Sequence, residues 1–162
     1  MKEWGPILFQ VLLVPITDNT ATTSTNDCWK KFEKAPGLSA EKMLFYRELY
    51  LQNADTLHWE VSPLFASPEQ FQKLPPALIV VAEVDILQSD GRRYAAKMED
   101  YGVEAEVVVM KRLPHAALTL GGVLGEVEGF VQRICGAVRK AFDTRTSQID
   151  SLPASHNTQI DR

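Results

Sequence analysis

The sequence has 162 residues and a formal charge of −4, with 17 Lys and Arg against 21 Asp and Glu; 45% of it is hydrophobic and 23% charged. That length fits one domain, or part of one, and excludes a multidomain machine; the mild acidity argues against a dedicated nucleic-acid binder, which would carry a basic field. No stretch approaches the roughly 20 apolar residues that span a bilayer. Cys28 and Cys135 stand far apart and make neither a disulfide framework nor a four-ligand zinc site, so a reducing, cytoplasmic setting is expected.

Lys2 followed by Ile7–Val14 has the outline of a short signal peptide, but Glu3 sits in the would-be basic region, Gln10 interrupts the apolar run and Pro15 ends it. The run Ile7–Val14 instead predicts a strand buried on both faces. Thr17–Asn26, rich in Thr, Asn and Asp, has loop chemistry. Ser39 is a candidate N-cap for a helix that places Met43, Tyr46 and Tyr50 on one face and Leu44, Arg47 and Leu51 beside them. Pro63, Pro68, Pro75 and Pro76 then break the chain into short irregular pieces. Ala77–Ala82 predicts a second buried strand, Ser89–Tyr101 an amphipathic helix ended by Gly102, and Ala105–Met110 a third strand. Val123–Phe142 predicts a long helix with Val127, Phe130, Val131, Ile134, Val138 and Phe142 on one side. Beyond it, from 143 to 162, apolar residues become scarce and a disordered tail is expected.

Strands alternating with helices argue an α/β fold with a mostly parallel sheet and right-handed crossovers. Sites in such folds lie beyond the carboxyl ends of the strands. Asp85 follows the second strand and His115 the third, one strand–helix–strand unit apart. At one edge, such a carboxylate holds one ring N–H while the other nitrogen takes a proton from a nucleophile. By composition alone, Asp85 reads equally as a helix cap and His115 as a loop histidine. Glu83 is the rival carboxylate, but it precedes the loop that aims Asp85. His58, beside Trp59, suits packing or the surface.

Several short motifs follow one another in order: Phe9–Pro15, Ser62–Ala66, Leu74–Val80, Asp85–Leu87 with Gly91, Tyr101–Val103 and Pro114–His115. Together they resemble the C-terminal part of the hormone-sensitive-lipase-like, or fold-3, group of α/β-hydrolases, over roughly residues 6–140. The resemblance implies a partial α/β-hydrolase fold over 1–142, with a cap-like segment at 39–66. It makes Asp85 the triad acid and His115 the general base of a serine carboxylesterase acting on a small-molecule carboxylic ester. Ala116 stands where the family often has glycine. The aromatic residues Phe45, Tyr46, Tyr50, Trp59 and Phe65 of the cap-like segment are candidates for lining the substrate pocket or for the cap's own core. No metal or organic cofactor is implied.

The chain has no Gly-x-Ser-x-Gly elbow, which such a hydrolase needs to expose its serine. Gly37-Leu38-Ser39-Ala40-Glu41 is the nearest stretch, and it ends in Glu and opens a helix. A His-Gly-Gly-type oxyanion loop is also absent, and Gly121-Gly122 does not replace it. In the family both motifs precede the strand at Ile7. Three readings follow: a fragment of an esterase, a short product without catalysis, or a chain completed by a separate front half. The group also contains non-catalytic relatives, the plant gibberellin receptors, which have lost the histidine; His115 argues against that alternative. Without neighbours, Ile7–Val14 is expected to leave an open sheet edge prone to self-association or dependent on a partner.

Overall fold

The computed structural model describes residues 7–150. Three strands form one parallel sheet in the order β1-β2-β3: β1 Gln10–Leu13, β2 Ala77–Val84 and β3 Ala105–Pro114. Among the described residues five α-helices accompany them: α1 Asp27–Lys31, α2 Ala40–Leu51, α3 Pro68–Phe71, α4 Gln88–Asp100 and α5 Gly125–Asp150. This is an α/β arrangement with an all-parallel sheet, as the sequence predicts.

Alternation along β2 explains the layers. Ala77, Ile79 and Val81 point to one face and pack with Phe71 of α3 and Tyr94, Ala95 and Met98 of α4. Leu78, Val80 and Ala82 point to the other and pack with Val127, Phe130 and Ile134 of α5. Both faces of β2 are therefore dry, as a central parallel strand requires. A Cβ on Gly91 would stand 2.5 Å from Val81 Cγ1, so this glycine sets how closely α4 lies on the sheet. A third cluster joins Trp29, Leu38, Ala40 and Met43 to Ile86 and Leu87, tying the β1–α2 connection to the turn after β2.

Three expectations change. The first strand is shorter than its apolar run and only half-buried, with Leu13 45% exposed. Its partner sets the limits: Gln10 N–H reaches Pro76 O, Val14 N–H reaches Val80 O, and Val14 then turns to φ +42°. Among the described residues β1 pairs with β2 alone, so its outer edge carries unpaired backbone groups. The third strand runs on through Pro114 because a bulge lets it rejoin β2. The last helix continues to Asp150, where the sequence predicts a disordered tail from 143. The helix runs on there without apolar cover, and the exposed hydroxyls of Thr144, Thr146 and Ser147 donate to the carbonyls of Lys140, Phe142 and Asp143. Residues 151–162 of the expected tail, and Lys2 and Glu3 of the signal-like segment, lie outside the described residues. The other elements stand close to expectation: Ser39 Oγ accepts from Lys42 N at 3.2 Å, and Gly102 leaves α4 at φ +78°.

Candidate active site

Parallel pairing carries β2 and β3 to the same edge, and the turns that follow present Asp85 and His115 side by side. His115 Nδ1 lies 2.8 Å from Asp85 Oδ2. Asp85 is 1% exposed, and its other oxygen, Oδ1, accepts from Leu87 N at 3.0 Å. That second bond helps to fix the carboxyl plane against the histidine. A carboxylate only accepts, so the ring proton belongs on Nδ1 and the lone pair on Nε2. The His115 side chain is 27% exposed, and Nε2 has no hydrogen-bond partner among the described residues. The arrangement can hold an imidazole in one tautomer and move a proton through Nε2.

His115 borders a cavity of about 540 Å³. Ile16, Leu38, Met43, Tyr46, Tyr50 and Val61 give it apolar and aromatic walls. Of the aromatic residues expected to line a pocket, Tyr46 and Tyr50 do so. Phe45, Trp59 and Phe65 do not, and all five rings are exposed to solvent. Gly37, at φ +87°, lies against the histidine turn: a Cβ there would meet Ala116 Cβ and Ala116 N at 3.3 Å each. Glycine at position 37 thus makes room for the methyl group of Ala116. A second cavity, about 320 Å³, lies at the amino ends of the strands between Phe9, Pro76 and Lys140, away from His115.

Sequence reasoning missed the support beneath this site. Asp90, fully buried at the start of α4, accepts from the backbone N–H of Thr17 and of Asp18 through Oδ2, both at 3.1 Å. This joins the loop after β1 to α4. Burial pushes the Asp90 carboxyl up to about 6, against the two backbone donors. Burial also acts on Asp18, but there the Thr20 hydrogen bonds and Arg93, at 2.9 Å, prevail and hold the carboxyl below its usual value. Arg47 stacks on Trp29 at 4.9 Å and donates to Ala21 O at 2.9 Å. The signal available in the sequence was Asp90 one position before Gly91: a carboxylate where the helix can come no closer to the sheet.

The folded pKa of Asp90 lies above its unfolded value, so its contribution to stability is greatest below about 4 and is lost as pH rises through about 6. Asp90→Asn, which cannot titrate, is expected to remove the part of the pH dependence of stability that falls between about pH 4 and pH 7. Urea unfolding across that range checks this; an unchanged slope would show that Asp90 does not titrate there.

Glu83 accepts from Arg112 N at 2.7 Å and from Lys111 Nζ at 3.2 Å, so it does not compete with Asp85 for His115. His58 is exposed beside Trp59, with ring centroids 6.1 Å apart. Ser62 is fully buried, accepts from Asn19 N and donates to Thr56 O, so its hydroxyl is occupied. Among the described residues no group of three or more His, Cys, Asp or Glu side chains is placed to hold a metal ion, and no helix is long and apolar enough to cross a membrane.

Residues 1–119 match the family model Abhydrolase_3, described as an alpha/beta hydrolase fold. The chain belongs to that family. It is 38% identical over 123 residues to an AB hydrolase superfamily protein of Schizosaccharomyces pombe, covering 75% of this chain and 36% of the relative. It is 29% identical over 132 residues to an ethyl acetate hydrolase of Pseudomonas putida, covering 80% of this chain and 40% of that one. Among solved structures, carboxyl esterase 2 from the fungus Tuber melanosporum superposes with a TM-score of 0.77 at 28% identity, over 85% of this chain and 45% of the esterase. The chain therefore spans less than half the length of these three proteins. The resemblance to the hormone-sensitive-lipase-like group holds, and the chain is an esterase-like member of the α/β-hydrolases.

Proposed function

We propose that this chain is the acid–base part of a serine carboxylesterase acting on carboxylic esters, with Asp85 as the acid and His115 as the general base. The observation that carries this reading is the 2.8 Å contact between a buried carboxylate and an imidazole that borders a largely apolar cavity. Asp85 keeps the proton on Nδ1, so Nε2 receives the proton of a serine hydroxyl as its oxygen bonds to the ester carbonyl carbon. The imidazolium that forms lies against the Asp85 charge. Nε2 then gives the proton to the departing alcohol oxygen as the C–O bond breaks. Water repeats the sequence on the acyl-enzyme and releases the acid.

The serine and the oxyanion donors come, on this reading, from outside these 162 residues, since the sequence holds neither motif. The free edge of β1 is where such a segment joins the sheet, and a second copy of the chain competes for the same edge. The chain alone is thus essentially inactive. A triad mutant usually retains about 10³–10⁴ of acceleration from the oxyanion hole and binding, and here those are missing too. The engaged His115 disfavours a receptor-like or decayed alternative.

The test is hydrolysis of a short p-nitrophenyl ester by the chain alone and by a chimaera. In the chimaera, a front segment bearing a Gly-x-Ser-x-Gly elbow and oxyanion loop, taken from an esterase of the family, precedes this chain. The expected result is turnover by the chimaera only. Turnover by the chain alone that disappears in His115→Ala would reveal a nucleophile within these residues and overturn the reading.

A further inference from the structure

We propose that Glu83 is a positioning residue for His115: its carboxylate holds the β3 bulge in the conformation that brings the histidine level with Asp85. The argument starts from register. Ala82 of β2 is opposite Met110 of β3, yet Val84 is opposite Pro114, so β3 spends two more residues than β2 over this stretch. The next residues along are Asp85 and His115. Had the ladder continued without the bulge, Asp85 would face Leu113. His115 would lie two residues further along, roughly 7 Å at about 3.3 Å per residue. A displacement of that size is incompatible with the observed 2.8 Å contact. The bulge therefore creates the pair.

What holds the bulge is equally specific. Arg112 lies within it at φ +60°, a left-handed conformation that residues with side chains rarely adopt. Its N–H is met by Glu83 Oε2 at 2.7 Å, while Lys111 Nζ reaches Oε1 at 3.2 Å. Both carboxylate oxygens thus serve the two bulge residues. The Arg112 N–H, with help from Lys111, holds the Glu83 carboxyl below its usual range, as expected where the charged form makes the bond. On the other side, Gln88 Nε2 donates to Glu83 O at 3.3 Å, linking the residue to the start of α4. Glu83 makes no hydrogen bond to His115 or Asp85, so it acts through the backbone alone.

What the pair does rests on the esterase reading; its geometry does not. The test therefore uses the chain itself and needs no substrate. In ¹⁵N-labelled protein, two signals are followed: the far-downfield Nδ1 proton of His115 and hydrogen exchange of the Arg112 amide. The sequence has three histidines, and loss of the signal in His115→Gln assigns it. Glu83→Ala is expected to speed Arg112 exchange about tenfold or more and to erase or broaden the His115 signal. Glu83→Asp, which withdraws the carboxylate by one methylene, behaves the same way. Glu83→Gln, whose amide oxygen still accepts the Arg112 N–H, retains both signals; Lys111→Met also retains them. An unchanged His115 signal in Glu83→Ala and Glu83→Asp would overturn the proposal, and so would a Gln variant no better than Ala. A turnover failure of the chimaera with these signals intact would count against the esterase reading instead.

Discussion

In the catalytically complete chimaera, Asp85→Asn is expected to lower kcat by about 10⁴-fold while leaving the fold intact. The size follows from the tautomer. Asn can still accept the Leu87 N–H that Asp85 Oδ1 now receives at 3.0 Å, so the turn after β2 keeps its shape. Toward His115, however, the amide presents an N–H₂ donor where Oδ2 accepted. The ring then carries its proton on Nε2, the atom that must take the serine proton, and no charge faces the imidazolium. A purely structural role for Asp85 predicts a different result: lost stability in Asp85→Asn with little change in kcat of the folded fraction. Steady-state kinetics alongside thermal melts separate the two.

Trp29→Ala is expected to destabilise the chain by about 3–5 kcal/mol, the usual range for removing a buried aromatic side chain. Trp29 is fully buried, and its cluster includes Ile86 and Leu87, the two residues directly after Asp85. Its ring is also the platform for Arg47, whose guanidinium lies 4.9 Å from the ring centroid. Removing the ring opens a cavity beneath the site and leaves that cation unsupported. Against a typical total of about 5–15 kcal/mol, such a loss is a large fraction of the stability. Urea midpoints with an unchanged m-value measure it. A loss under about 1 kcal/mol would place Trp29 outside the cooperative core.

The layers were legible in the sequence because β2 is apolar at every position that faces a helix, and its alternation needs no knowledge of the partner. Asp85 and His115 were legible because each follows the end of an apolar run, and parallel pairing carries both to one edge. The span of β1 was not legible. Ile7 and Leu8 are as apolar as Val11 and Leu12, but pairing begins where β2 begins. The β3 bulge was hidden for a related reason: the apolar run ends at Met110, Lys111 and Arg112 fall beyond it, and only the register shows that the ladder resumes at Pro114. Glu83 consequently looked like a failed rival to Asp85 rather than a clamp on the segment before His115. The short helix α1 had a signal that went unread, Asn26 before Asp27, whose side chain accepts from Cys28 N and Trp29 N. The helical stretch from Thr144 to Asp150 had none, since its residues show no apolar periodicity.

The central claim is that His115 Nε2 activates a serine brought against it. The most direct measurement is the rate at which a fluorophosphonate probe labels the elbow serine of the chimaera, compared between His115 and His115→Ala. The account predicts rapid stoichiometric labelling with His115 and a rate lower by about 10³-fold or more without it. Equal labelling rates in two equally folded proteins would contradict it.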